Sequence, residues 1–378
     1  MKKILFLFGF LLMPSFLFAQ SDEQINSTVQ IIEAEVIEVV EQVPVDVEFQ
    51  NGRDYTVQTI RAVLREGNFT GDEIIVEQDY LGLSKGDNFL VEEYLEEGQN
   101  PEYRLVDFDR RNGLTWLVLA FVVLILVFAK WQGLRSLVSL GTSILVIVYV
   151  LVPLLLKGAP PILTSVIIAT VLLALAIFLT HGFNKRSLIA FSGTVATVVV
   201  TGIIASWAVS GTHLSGFGSH EATYLDFNSG VALDFVGLLL ASIIIGVLGV
   251  LDDISITQVA VVRELYSANP NLNRKDVFTR ALRVGKEHVS ALVNTLVLAY
   301  VGVGLPLILY VSTLGVSDVG LVLNSEVFAT EIVRTIIGSI GLILSVPLTT
   351  FLAAVFLEDS KGKPLSEKEK HEGCAHTH

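Results

Sequence analysis

The chain is poor in cysteine and in charge. Cys374 is its only cysteine, which excludes an internal disulfide framework and a structural zinc site built on cysteines. Charged residues make up 17% of the chain, against about 25% in an average soluble protein. The sequence also lacks a Gly-x-x-x-x-Gly-Lys-Ser/Thr phosphate-binding loop and a His-Glu-x-x-His metal-binding motif. We therefore expect a protein that is not an enzyme, does not use ATP and carries no cofactor.

Apolar residues fill most of the segment between Arg111 and Leu357. They form seven runs, each about as long as the ~20 helical residues that a hydrocarbon core of ~30 Å requires. Helices suit such runs because they satisfy their own backbone hydrogen bonds in lipid. The sequence predicts an all-α polytopic membrane domain at 111–357, surrounded by membrane lipid. Its seven predicted transmembrane helices are 114–129, 134–156, 160–180, 187–211, 231–251, 289–312 and 332–357.

The first residues have the pattern of a secretory signal peptide. Lys2 and Lys3 precede an apolar run, and Ala19 stands at the expected cleavage site. We expect residues 1–19 to be removed. Leu17 is unfavourable at the third position before that site, so retention of the segment as an eighth span is the alternative. Both interpretations export the residues that follow.

Residues 20–110 predict an acidic, β-rich domain outside the membrane. Positions 21–110 hold 22 Asp and Glu against six Lys and Arg, which argues against binding to nucleic acid. Short β-branched stretches separated by Gly-containing turns predict five or six strands, including 36–40, 43–49, 54–60, 73–78 and 88–92. We expect a small barrel or sandwich, with an OB-like barrel as one option. Ligand capture, partner docking and capping of the membrane domain are all compatible with this pattern.

The distribution of lysine and arginine predicts the orientation of the chain. With the N-terminal domain outside, the cytoplasmic loops hold fourteen Lys and Arg, whereas the outer loops hold only Lys157. The C-terminal tail, 358–378, is then cytoplasmic. The segment 252–288 is periodic enough to form two cytoplasmic helices, the second capped by Asn273.

A series of spaced polar motifs resembles the YibE/F-like family of bacterial multi-span membrane proteins. The resemblance implies a protein of the bacterial cytoplasmic (inner) membrane, sometimes suspected of transport, and names no substrate. In the family pattern a single aspartate follows a methionine, whereas here Leu251 precedes two aspartates, of which Asp252 aligns better. The motifs include Gly246-Val247-Leu248-Gly249-Val250-Leu251-Asp252-Asp253-Ile254-Ser255, His181-Gly182-Phe183, Asn269-Pro270, Gly285-Lys286-Glu287-His288 and Asn324-Ser325-Glu326.

Few ionisable residues lie near the predicted spans, and such residues usually have a function or a partner. Small residues share a helical face with Asp253 on the fifth span, and others follow Arg334 on the seventh. Such stripes permit close helix packing and can also line a narrow wet path. The two aspartates alternatively mark the water interface or cap a following helix. Our candidate path residues are Asp252, Asp253, Asn294, Glu331 and Arg334, and the stripes comprise Ser242, Gly246, Gly249, Gly338, Gly341 and Ser345.

The tail groups four weak candidate metal ligands, His371, Cys374, His376 and His378. For the whole protein we retain two hypotheses. The first is a secondary transporter or channel-like permease for an ion or small solute. The second is a membrane scaffold or sensor whose exported domain recognises something outside. The sequence leaves open whether the chain forms a homo-oligomer or binds a membrane partner.

Overall fold

The computed structural model describes residues 27–45, 55–78, 82–96, 101–228, 230–313 and 319–358. The chain divides into two compact units, Met1–Val127 and Phe128–His378. The first unit contains a β-sheet followed by the start of a long helix. The second contains the helices that carry most of the apolar sequence. The candidate metal ligands of the tail lie outside the described residues.

Five antiparallel strands form one sheet in the first unit, in the order β3-β2-β1-β4-β5. The long strand β1 pairs with β4 through its first half and with β2 through its second half. Shifts in register after Val36 and after Val39 bend β1 between these two partners. The predicted β-rich domain is therefore confirmed as a half-barrel sheet. The strands are β1 (Ser27–Val45), β2 (Tyr55–Leu64), β3 (Glu73–Gln78), β4 (Asn88–Glu96) and β5 (Glu102–Phe108).

Alternation of apolar and polar residues gives this sheet one buried face. On β1, for example, Ile32, Ala34 and Val36 are buried, and β3 alternates in the same way. Phe89 and Leu64 are fully buried at the centre of the resulting core. The core is built from the strands and loop residues of this unit, so its formation requires no apolar surface from the helices.

Arg111 connects the end of the sheet to the first helix. Its guanidinium donates to both carboxylate oxygens of Asp109 at 2.9 Å and to Glu33 of β1 at 2.7 Å. The Asp109 carboxylate also accepts the backbone amide of Arg111 at 2.9 Å. The hydrogen bonds from Arg111 hold the pKa of Asp109 below its ordinary value.

The remaining described residues are mainly helical. A π-helical turn, Ile147–Leu151, links the first two helices, and Lys130 interrupts α1 with non-helical angles of φ 47° and ψ −124°. The helices are α1 (Arg111–Val146), α2 (Val152–Leu156), α3 (Pro161–His181), α4 (Lys185–Gly211), α5 (His220–Asn228), α6 (Phe235–Ala268), α7 (Arg274–Val303), α8 (Leu305–Thr313), α9 (Val319–Leu323) and α10 (Glu326–Phe356).

Among the described residues, five helical segments have the length and hydropathy to cross a membrane. The count becomes six if α7 and α8, which meet at a bend of 55°, form one broken span. The predicted count of seven is not confirmed, because the first two predicted runs fall in one continuous segment, Arg111–Leu156. Large apolar side chains on this segment, such as Trp116 and Phe128, are exposed as they would be toward lipid.

The structure differs from the sequence prediction in the segment 252–288. Helix α6 continues without a break from Phe235 to Ala268, and α7 continues from Arg274 to Val303. The segment is therefore the adjoining ends of two long helices, not a separate helical pair. Asn273 caps α7 as predicted, since its side chain accepts the amide of Asp276 at 2.8 Å.

We expect Asp109→Asn to destabilise the β-sheet unit by about 1–2 kcal/mol at pH 7, because it weakens charge-assisted hydrogen bonds to Arg111. The folded-state pKa of Asp109 is lowered. Its contribution to stability is thus present above the unfolded-state pKa and disappears as pH falls through the folded-state value. Urea unfolding of a fragment covering 21–113, followed by far-UV circular dichroism from pH 7 to pH 2, measures both effects.

Asp107→Asn is the matched control, since Asp107 pairs with the exposed Arg110. It should change stability less than Asp109→Asn at neutral pH. Equal unfolding curves for Asp109→Asn and the unmodified fragment at pH 7 would contradict the role given to Arg111.

Candidate functional site

A cavity of about 500 Å³ opens between α1, α3 and α6. We call it the carboxylate cavity, because Asp252 and Asp253 of α6 line it. Asp252 is half-buried and Asp253 is exposed. Since α6 passes both residues without a break, neither aspartate caps a following helix. That alternative from the sequence is wrong.

Hydroxyl groups supply much of the remaining polar lining. Ser136, Ser139 and Ser143 follow one another at helical spacing on α1 and face the cavity. Thr180 and His181 line it from the end of α3, which terminates because Gly182 adopts a φ of 77°. The cavity therefore combines two carboxylates with hydroxyls inside a set of otherwise apolar helices.

The two small-residue stripes have different surroundings. On α6, Ser242, Gly246 and Gly249 lie on an exposed face. A methyl group added to Gly249 would meet no atom within 4 Å, and Gly249 lines the carboxylate cavity. A methyl group at Gly246 would instead lie 3.2 Å from the hydroxyl of Tyr300. The lack of a side chain thus leaves open space at Gly249 and lets α7 approach α6 at Gly246.

On α10 the stripe is buried and serves close packing. A methyl group at Gly341 would lie 2.7 Å from the hydroxyl of Thr201 on α4, and one at Gly338 would lie 3.4 Å from Leu296 on α7. Ser345 is fully buried and shares a hydrogen bond of 3.1 Å with Ser255 of α6. We assign these α10 residues to helix contact.

A buried polar cluster joins α6 to α10 next to this stripe. Ser255 also shares a hydrogen bond of 3.2 Å with Thr349, and Thr350 donates to the side-chain carbonyl of Gln258 at 2.9 Å. All four side chains are fully buried. The Gln258 amide nitrogen has no hydrogen-bond partner. A methyl group added to Gly285 of α7 would lie 2.7 Å from this nitrogen. The sequence did not identify Ser255 and Gln258 as a pair, although their spacing of three residues places them on one face.

The other predicted path residues lie elsewhere. Glu331 and Arg334 pair with each other at 3.4 Å, and Glu331 lines a mostly apolar cavity of about 310 Å³ near Tyr300. Asn294 is exposed on α7. None of the three lines the carboxylate cavity. The structure thus brings Asp252, Asp253 and Gly249 together and does not join the remaining candidates to them.

Glu326 has a structural role that the sequence did not predict. One oxygen of its carboxylate accepts the backbone amides of Ser215 at 2.8 Å, Gly216 at 2.7 Å and Phe217 at 3.1 Å. Three successive amides form a nest for an anion. The contact fixes the loop after α4 to the start of α10, so it accounts for a charged residue at that point.

Asp234 also has a local partner at the start of α6. Its side chain accepts the amide of Gly237 at 2.9 Å and so caps the helix. It lines a smaller cavity of about 150 Å³ together with Leu155, Pro161 and Leu238. Within the described ranges, no group of three or more His, Cys, Asp or Glu side chains is placed to hold a metal ion.

Long apolar helices with a polar cavity between them, attached to an antiparallel β-sheet, define a polytopic helical membrane protein with an additional β unit. The chain belongs to the YibE/F-like protein family, whose family model matches residues 117–359. This range contains the carboxylate cavity and the buried polar cluster. Comparison with curated proteins and with solved structures gives no match.

We expect Gly193→Ala to destabilise the helical unit by about 1–3 kcal/mol, as overpacking does in other proteins. The added methyl group would lie 2.6 Å from the Thr349 hydroxyl and 3.1 Å from its Cα, so α4 and α10 would have to separate. Thermal unfolding of the detergent-purified protein measures the loss.

Gly202→Ala provides the control on the same helix. Its new methyl group would meet only Ile244, at 3.7 Å, while the gain in helix propensity is the same at both positions. A melting temperature as high for Gly193→Ala as for Gly202→Ala would contradict a tight contact at Thr349.

Proposed function

We propose that this protein is a secondary transporter or channel-like permease for a small cation or a small cationic solute. The observation that supports the proposal is the carboxylate cavity between membrane helices. Two carboxylates and three serines line one cavity between helices of the membrane domain, at the end of the predicted fifth span, and ionisable groups beside such a cavity suit a solute rather than helix packing. Such a protein moves a solute across the membrane and is not an enzyme.

The chemistry of the lining favours a positive charge. Carboxylate and hydroxyl oxygens are the ligands that hard cations accept. Among the described residues that line the cavity there is no lysine or arginine to neutralise the carboxylates. Adjacent negative groups raise the local concentration of cations. Transport without a nucleotide is consistent with the absence of an ATP-binding loop from the sequence.

We propose seven spans, with the β unit outside and the C-terminus in the cytoplasm of a bacterial cell. The 46 residues of Arg111–Leu156 would extend about 69 Å as one helix, more than twice the ~30 Å of hydrocarbon. The non-helical backbone at Lys130 divides them into two lengths that each suit one crossing. The broken pair α7 and α8 then supplies the remaining span.

A reporter that is active only in the cytoplasm tests this topology. Insertions after Gly133 and after Lys275 should be active, whereas insertions after Gly158 and after Gly216 should be inactive. If Arg111–Leu156 were one span, a reporter after Gly158 would not be inactive while a reporter after Gly133 is active. Activity at Gly158 would therefore contradict the seven-span arrangement.

A membrane scaffold or sensor is the second candidate, favoured by the β unit. Its strand arrangement supports an OB-like half-barrel, a shape used for binding in many proteins. Glu93 is fully buried in this unit, accepts a hydrogen bond from Tyr103 at 3.2 Å and has one oxygen without a partner. In this alternative, the acidic unit binds a membrane protein or a second copy of the chain and not nucleic acid.

We expect purified protein in proteoliposomes to carry one or more cations from a panel of alkali-metal, alkaline-earth and small ammonium ions. Asp252→Asn combined with Asp253→Asn should reduce that flux by about tenfold or more, because both negative charges are removed from the cavity. Flux of each ion is followed with an ion-sensitive dye or an isotope.

Glu264→Gln is the matched control, since Glu264 is an exposed carboxylate further along the same helix and does not line the cavity. It should leave the flux unchanged. Melting temperatures of both variants must match that of the unmodified protein. No flux for any ion with the folded protein would favour the scaffold or sensor.

A further inference from the structure

Two cavities lie beside α3, α6 and the chain that runs from α1 through the π-helical turn into α2. The carboxylate cavity contacts Ile147 of the π-helical turn, Leu172 of α3 and Ile245 of α6. The Asp234 cavity, of about 150 Å³, contacts Leu155 of α2, Pro161 of α3 and Leu238 of α6. At 1.5 Å per helical residue, the lining of one ends about 10–16 Å from the lining of the other along α3 and α6. The two cavities therefore follow one another along the same pair of helices.

A buried hydroxyl without a partner lies between them. Ser165 follows Pro161 by one turn on α3 and precedes Ala169 by one turn, so the three share a face. Ser165 is completely buried, and its hydroxyl oxygen has no hydrogen-bond partner. An unsatisfied hydroxyl costs about 1–3 kcal/mol when it is buried. Intermittent access to water or solute would supply the hydrogen-bond partner that this hydroxyl lacks.

Apolar side chains separate the cavities. Leu151, Ile168 and Ile244 are each no more than 6% exposed and belong to one buried cluster. Leu151 lies four residues from Ile147 and four from Leu155, which contact the two cavities in turn. It thus lies between the two cavity linings along this part of the chain.

The backbone at Leu151 has a wider turn than an α-helix. The amide of Val152 donates to the carbonyl of Ile147, five residues earlier. Pro153 has no amide to donate to Tyr149, and its ring would collide with that carbonyl in a regular helix. The π-helical turn relieves this collision, and such turns are frequent at functional positions. A turn with irregular hydrogen bonding can change its geometry more readily than the helices around it.

We propose that the two cavities are the ends of one solute path, closed here by Leu151 and opened by movement of the π-helical turn. The inference rests on the proposed function for the identity of the solute. Asp234 then lies at the second end of this path, and the candidate path residues Glu331 and Arg334 lie outside it. Ser165 becomes a hydroxyl that contacts the solute only when the barrier opens.

Cysteine labelling in lipid nanodiscs tests the path without requiring transport. Cys374→Ser removes the only native cysteine, and Ser165→Cys places a thiol between the cavities. A trimethylammonium methanethiosulfonate reagent reaches thiols only through water. With Leu151 intact we expect little modification of the new thiol. Adding Leu151→Ala should raise the labelling rate by about tenfold, as expected if the open state changes from a minor population to a major one.

Leu342→Ala is the control, because Leu342 is also a buried leucine but belongs to a different cluster, on α10. It should leave the labelling rate low. If Leu151→Ala does not purify as a single species, Ile244→Ala removes the opposite side of the same barrier. Equal labelling in all variants, or an increase with Leu342→Ala as well, would overturn the inference.

The labelling and the flux can fail separately. A thiol at 165 that remains protected in both barrier variants, in a protein that still carries cations, would place the path elsewhere while leaving the transport proposal intact. A thiol that becomes reactive in a protein that carries no ion would support the path and contradict the transport proposal.

Discussion

The helical unit depends on close approach between helices that carry polar side chains into an apolar environment. Gly193, Gly341 and Gly285 let α4, α10 and α7 come so near that even one added methyl group would collide. This proximity allows Ser255 of α6 to bond with both Ser345 and Thr349. In lipid a buried hydroxyl has no water as an alternative partner, so the close approach of these helices lets their hydroxyls serve as partners for one another.

The same packing leaves a different face of α6 available for the carboxylate cavity. The cluster with α10 occupies Ser255 and Gln258, whereas Gly249, Asp252 and Asp253 face α1 and α3. One helix therefore joins a rigid contact on one side to an open, negatively charged space on another. In the proposed path, α6 stays in place while the π-helical turn before Pro153 moves beside it.

The sequence predicted whether a segment forms a strand or a helix better than it predicted which elements pack against each other. Alternation was sufficient for β3, which begins at Glu73 and ends at Gln78 as predicted. Charge and length placed Asp252 and Asp253 at the end of an apolar run, and they do line a cavity. Periodicity cannot tell which helix faces which, so Asn294 and the Glu331–Arg334 pair were grouped with them although they lie elsewhere.

The sequence also could not show where a helix continues without a break. A change from apolar to charged residues after Leu251 suggested a boundary, but an α-helix can continue through such a change without altering its geometry, and α6 continues to Ala268. Ser136, Ser139 and Ser143 were overlooked because isolated serines in an apolar run are common in packed membrane helices. Their significance depends on the cavity that α3 and α6 complete.

The most direct test of a cation site is the melting temperature of the purified protein across a panel of chloride salts at constant ionic strength. A cation that binds only the folded state stabilises it by about 2.7 kcal/mol at one hundred times its dissociation constant. We predict that at least one cation raises the melting temperature of the unmodified protein and fails to raise that of the Asp252→Asn, Asp253→Asn protein. Equal shifts in both proteins, or no shift with any cation, would contradict a cation site at these carboxylates.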